Sequence, residues 1–133
     1  MIIDVITPAL NEEQAIASVI KDVPSNLVRY FIVCDNGSKD RTIEIARSLG
    51  AVVVSEPERG YGAACLKGIE FLNNLPVTEQ PDIVVFIDAD YSDYPEEIPE
   101  LIRPILENKA DLVIGSRVLG NAERGSLNFV QRF

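Results

Sequence analysis

Residues 84–93 read VVFIDADYSD. Four apolar residues lead straight into a segment that holds Asp88, Asp90 and Asp93. An unbroken run of β-branched and aromatic residues reads as a strand buried on both faces, as in a parallel sheet. The acids mark where that strand leaves the core. If the strand continues through Asp88 and Asp90, their two-residue spacing sends both carboxylates to one face. Carboxylates so close repel unless a cation lies between them or one takes up a proton. Mg2+ or Mn2+ prefers hard oxygen ligands and joins one or two carboxylates to substrate phosphates. The plainer alternative is a solvated strand end, with Asp93 capping the next helix.

The same pattern repeats on both sides of this stretch. IIDVIT (2–7), YFIVCD (30–35), AVVVSE (51–56), DIVVFID (82–88) and DLVIGS (111–116) read as strands. Helical patterns separate them. NEEQAIASVIKDV carries Ile16, Val19, Ile20 and Val23 at i, i+3, i+4, i+7. Asp40 suits the N-cap of RTIEIARSL, and Gly50 stands where a C′ glycine belongs. YGAACLKGIEFLNNL (61–75) turns Leu66, Ile69 and Leu72 inward. PEEIPELIRPILEN aligns Ile98, Leu101, Ile102, Ile105 and Leu106, with Pro99 and Pro104 expected to shorten or kink the helix. The order is βαβαβαβαβ. With right-handed crossovers it predicts an α/β fold: a doubly wound, mostly parallel sheet with helices on both faces. The tail VLGNAERGSLNFVQRF (118–133) has no clear period and reads as loop running into a further element.

The 133 residues suit one domain, 1–133. A net charge of −9 gives an acidic surface that repels phosphate backbones and argues against a nucleic-acid partner. The chain has no histidine, so His acid–base chemistry and His metal ligation are excluded. Cys34 and Cys65 lie in apolar runs and read as free, buried thiols, which suits a reducing cytoplasm. The N-terminus lacks the basic-then-apolar pattern of a signal peptide, and no apolar run nears the roughly 20 residues that span a bilayer.

Open parallel sheets bind ligands outside the carboxyl ends of their strands, where strand order reverses. Four strands release polar residues there: TPALNEE, CDNGSKD, DADYSD and GSR. Asp35, at a buried strand end, can accept hydrogen bonds from a ligand, although DNGSKD (35–40) is also an ordinary turn and cap. RGYGAACLKG (59–68) sets Gly60 and Gly62 at a helix start, where anions are attracted and where glycines also serve simply as turn formers. Neither GxGxxG nor a P-loop occurs. Glu12 and Glu13 suit the first turn of a helix, and Lys67 reads as a solvated helix residue.

TPALNEE, DNGSKD, RGYGAA, DADYSDYPEEI and DLVIGSR, in this order, resemble the family 2 glycosyltransferases and their GT-A fold. The likeness is to the dolichyl-phosphate glucosyl- and mannosyltransferase-like branch, which acts on polyprenyl phosphates. It implies transfer of a sugar, with inversion, from a UDP-glucose or GDP-mannose type of donor to a lipid phosphate or other acceptor. It also implies that Pro8, Leu10 and Glu12 line the nucleotide pocket and that Asp35 contacts the base. Gly60 and Lys67 would flank base and ribose, and Asp88 would lie near ribose and diphosphate. Asp90, with Asp88 as a second ligand, would hold Mg2+ or Mn2+ on the diphosphate, and Arg117 would face the diphosphate or the acceptor phosphate. The family often has a second acid after Asp35 and a polar residue after Asp90; here these are Asn36 and Tyr91.

A phosphate acceptor is already an anion near pH 7, its second pKa being about 6, and needs no strong general base. That suits a chain without histidine, working in the cytoplasm or at the cytoplasmic face of a membrane. Family catalytic domains are longer than this chain. The resemblance therefore implies a truncated, donor-binding half with weak or no transfer activity. Such a half would lack the antiparallel strand that flanks the fourth strand, leaving an edge open to another copy. Two other functions compete. A nucleotidyltransferase that makes sugar nucleotides would carry a glycine-rich basic loop after the first strand, which TPALNEEQA is not. A non-catalytic nucleotide-binding module would bind without a divalent metal.

Overall fold

The central apolar runs form strands because helices cover them on both faces. The computed structural model describes residues 1–116 and 127–133. The strands are β1 (Ile3–Ala9), β2 (Phe31–Asp35), β3 (Val52–Ser55), β4 (Ile83–Phe86), β5 (Leu112–Ser116) and β6 (Leu127–Arg132). The helices are α1 (Ile16–Asp22), α2 (Thr42–Ser48), α3 (Tyr61–Asn73) and α4 (Ile98–Leu106). The described strands form one sheet in the order β3-β2-β1-β4-β6-β5. β1 is parallel to β2 on one side and to β4 on the other, with Val5 opposite Phe31 and Val85.

The expectation of a missing strand is overturned. The tail, read as loop running into a further element, supplies β6, which pairs antiparallel with β4 (Phe86 opposite Phe129) and with β5 (Ile114 opposite Phe129). The edge of β4 is therefore filled, and the argument for self-pairing there falls away.

Alternation along β1 divides the core in two. Ile3, Val5 and Ala9 join Val33 and Val85 against Ile16 and Val19 of α1 and Ile98, Ile102 and Ile105 of α4. Ile6 joins Ile32, Cys34, Val84 and Phe86 against Ala64, Cys65 and Leu72 of α3. On α3 the buried face is Ala64, Cys65, Gly68 and Leu72, whereas Leu66 is 65% exposed, contrary to expectation. Leu66 precedes Leu72 by six residues, about 240° round a helix of 3.6 residues per turn, and so points away from the sheet. Leu106 is likewise exposed at the end of α4. A Cβ on Gly68 would sit 2.8 Å from Ile6 Cγ2 and 2.9 Å from Cys34 Sγ, so this helix reaches the sheet only through a glycine.

The helix ends show which local signals decide. Gly50 has φ +87°; its N–H donates to Arg47 O at 3.1 Å, and the Ala51 N–H donates to Ala46 O at 3.1 Å. These two bonds make the expected Schellman end of α2. α1, by contrast, begins only at Ile16. Asn11 has φ +53° and turns the chain, so Glu12 and Glu13 lie in a loop rather than in the helix's first turn. α4 follows a 3-10 turn at Pro95–Glu97, accepts Pro99 in its first turn and runs through Pro104 to end at Leu106. At the far end of the sheet, Asp4 is fully buried in β1. Its carboxylate accepts from Arg29 Nε at 3.0 Å, from Arg29 Nη2 and from the Tyr30 N–H at 3.0 Å.

Candidate functional site

Strand order reverses between β1 and β4, so the loops leaving these two strands lie side by side at the carboxyl edge. β4 ends at Phe86. Asp88 and Asp90 therefore stand in a loop, and strand alternation is not what brings them together. The Asp88 N–H donates to Asp93 Oδ2 at 2.7 Å. Asp93 is buried and ties this loop into a ring, and the 3-10 turn that follows has no side-chain cap, which corrects the capping role expected of it. Asp90 Oδ1 accepts from the Ser92 N–H at 3.0 Å and from Ser92 Oγ. Between them Tyr91 takes φ +63°, a conformation rare for a residue with a Cβ, and its hydroxyl donates to Asp22 at the end of α1.

Glu12 identifies what faces this loop. Burial pushes its carboxyl above the usual range, and the negative charges of Asp90, Asp40 and Asp88 push it further. Glu12 from the β1 loop thus stands in the field of both acids from the β4 loop. The β1 loop is itself stitched to the β2 loop. Asn11 N–H donates to Ser38 Oγ at 2.9 Å and Glu12 N–H to Thr42 Oγ1 at 2.8 Å. Lys39 N–H donates to Asn11 Oδ1 at 2.9 Å and Glu13 N–H to Asp40 Oδ2 at 3.2 Å. Asp40 also accepts from the Thr42 N–H at 2.9 Å, but the N-cap of α2 is Arg41, so Asp40 braces the turn one residue before the expected capping position.

Among the described residues no three acids, thiols or imidazoles form a ready-made metal cage. The donors here are all hard oxygens. That set fits a divalent ion held by one or two carboxylates and completed by a ligand's phosphates.

At the carboxyl ends of β1 and β2 lies a cleft of about 370 Å³ lined by Pro8, Ala9, Leu10, Asn36, Arg59, Gly60 and Tyr61. Three of the expected pocket residues, Pro8, Leu10 and Gly60, line it. Asp35 is buried under its own turn: Oδ2 accepts from the Gly37 N–H at 3.0 Å and the Ser38 N–H at 2.8 Å, and Oδ1 from Ser38 Oγ at 2.6 Å. Lys67, in the second turn of α3, pairs with Glu70 at 3.7 Å and does not line the cleft. Arg117 lies outside the described residues.

Arg59 and Tyr61 are cleft residues that sequence reasoning passed over, and Asn36, noted there only as a departure from the family pattern, lines the cleft as well. Burial, then Cys65 and Asp88, raise the Tyr61 hydroxyl's pKa, so this cleft residue feels the charge of the β4 loop. An aromatic residue directly after the Gly60 that opens α3 is the signal that could have found it. Burial also holds Cys65 protonated, its pKa pushed up to about 11.

The glycosyl transferase family 2 model matches residues 4–133. The chain is 36% identical over 121 residues to a dolichyl-phosphate hexose transferase of Haloferax volcanii, covering 90% of this chain and 49% of that protein. It is 29% identical over 135 residues to a UDP-N-acetylglucosamine–dolichyl-phosphate N-acetylglucosaminyltransferase of Methanococcus voltae, covering 88% and 52%. Among solved structures it resembles glucosyl-3-phosphoglycerate synthase of Mycobacterium tuberculosis in complex with Mn2+, UDP and glucosyl-3-phosphoglycerate. The TM-score is 0.74 and the identity 29%, over 98% of this chain and 56% of that one. The chain thus spans about half the length of these proteins. The family match runs from β1 through β6, and on that ground the chain belongs to glycosyl transferase family 2.

Proposed function

We propose that this chain is the donor-binding part of a glycosyltransferase. It moves a sugar, with inversion, from a nucleotide-sugar donor of UDP-glucose or GDP-mannose type to a polyprenyl-phosphate or other acceptor. One observation carries this reading: a cleft walled by Pro8, Leu10, Gly60 and Tyr61 opens at the carboxyl edge where the loops after β1 and β4 carry Glu12, Asp88 and Asp90, and the charge of Asp88 is felt at Tyr61. A nucleoside fits the cleft, and its diphosphate then reaches the acids. Asp35, through the turn it braces, sets the wall facing the base. Lys67 flanks the ribose only by leaving Glu70.

Asp90, with Asp88 beside it, holds Mg2+ or Mn2+ against the diphosphate. Such an ion, when bound, offsets the negative charge that grows on the departing nucleoside diphosphate. Arg117, the next residue after β5 in the sequence, would offset charge on the diphosphate or meet the acceptor phosphate. The Mn2+ and UDP in the mycobacterial synthase support this arrangement. The relatives named for dolichyl phosphate support a lipid-phosphate acceptor, whose oxygen is anionic near pH 7 and attacks without a strong base. None of the described helices is long and apolar enough to cross a membrane. We place the reaction at the cytoplasmic face of a membrane, where a lipid-linked phosphate is accessible. Transfer by this chain alone is weak or absent.

Calorimetry with UDP and GDP, with and without Mn2+, tests the proposal. One nucleotide should bind, only with Mn2+ present, and Asp90→Ala should abolish that binding. Failure of both nucleotides to bind under either condition sinks the reading. Metal-independent binding that survives Asp90→Ala points instead to a non-catalytic module.

A further inference from the structure

We propose that Asn36 is a positioning residue, a neutral amide that holds the Gly60 wall of the cleft in place and that an acid cannot replace. The proposal rests on the cleft being the nucleotide site. Asn36 directly follows β2 and is 7% exposed. Its Nδ2 donates to Glu56 O at 2.8 Å and to Glu58 O at 2.7 Å. Its Oδ1 accepts from the Gly60 N–H at 3.1 Å. Its own N–H donates to Ala9 O at 2.9 Å. One residue thus joins the end of β1, the end of β2 and the whole connection from β3 to α3.

That connection needs an external hold. Gly60 has φ +129°, a conformation that side-chain-bearing residues rarely adopt. Gly60 O accepts the first α3 bond, from the Ala64 N–H at 3.1 Å, so fixing Gly60 also fixes the helix start that carries Tyr61. Both amide protons of Asn36 are committed to the protein, so they cannot be used to read a base. The side chain acts on the ligand only through the shape of the wall.

An ionised aspartate at this position has no proton to donate and would set its charge against two carbonyl oxygens. Protonated, it regains one of the two donors. Burial and the facing carbonyls raise the pKa of such an acid and bring its titration toward neutral pH. In this chain the amide is required by the two carbonyls of the connection.

The first test uses the unmodified protein: hydrogen exchange by NMR should show the Gly60 amide protected. Exchange at the rate of an open amide overturns the proposal. The second compares Asn36→Asp and Asn36→Ala, checked for folding by their melting transitions. At pH 8 with Mn2+, both should bind the preferred nucleotide roughly tenfold to a hundredfold more weakly. Both should lose protection at Gly60. At pH 5.5 Asn36→Asp should recover part of its deficit, and Asn36→Ala should not. Unchanged affinity in Asn36→Asp at pH 8 overturns the proposal, whether or not Gly60 stays protected. If neither variant folds, exchange in the unmodified protein decides. If the unmodified protein binds no nucleotide, the functional reading fails, and Gly60 exchange still decides whether the latch exists.

Discussion

Glu12 carries the site's electrostatic problem in one side chain. Burial raises its pKa, and Asp90, Asp40 and Asp88 add repulsion. A carboxyl whose pKa is raised by folding contributes stability that is intact below its unfolded pKa, near 4.5, and lost as pH rises through the folded value. At neutral pH the cluster is therefore a local liability, and a divalent cation should relieve it. Mn2+ at pH 7 should raise the melting temperature relative to EDTA, and Asp90→Asn should shrink that rise. Equal melting temperatures with Mn2+ and EDTA in the unmodified protein would remove the cation from this account. Sequence alone marked these acids but explained their meeting wrongly. Two-residue spacing suggested one strand face, whereas Asp93 closes a loop around Asp88 and a second loop delivers Glu12.

The strands were legible because a strand covered on both faces must be mostly apolar, and β1, β2 and β4 are, with Asp4 buried in β1 on its pairing with Arg29. The end of α2 was legible because Gly50 alone fixes it. α1 was misjudged at its start, where hydrogen bonds between the β1 and β2 loops outweigh the dipole preference of Glu12 and Glu13. β6 was anticipated only as a further element of no stated type, because LNFVQR shows no sustained alternation; its place comes from backbone pairing with strands distant in sequence. The sequence pointed to Leu66 on the core face of α3, but Gly68 sets the contact. Gly68→Ala should lower stability by about 1–3 kcal/mol, since the new methyl must displace both Ile6 and Cys34. Urea denaturation measures this, and a change within a few tenths of a kcal/mol would show that α3 can lift away freely.

The two thiols act at the scale of the whole fold, because both belong to the core beneath α3. Burial lifts Cys34 from near 9 to about 12 and Cys65 to about 11. Below pH 9 both thiols are protonated whether the chain is folded or not, and their contribution is intact. As pH rises past 9, the unfolded chain ionises its thiols first, so stability falls progressively up to about pH 11–12. Melting temperatures across pH 8–11 should fall more steeply for the unmodified protein than for a Cys34→Ala, Cys65→Ala double variant. Parallel curves would show the decline to be general charge repulsion in a chain of net charge −9. The position of β6 has a consequence of another kind. β5 ends at Ser116 and leaves the ribosome before β6, which begins at Leu127, yet among the described strands β6 is its only neighbour. The sheet therefore cannot grow in the order of translation. β3, β2, β1 and β4 can dock as they emerge, while β5 must wait for a strand not yet made, and a nascent chain halted before Leu127 carries two unpaired edges where the finished sheet has one continuous ladder.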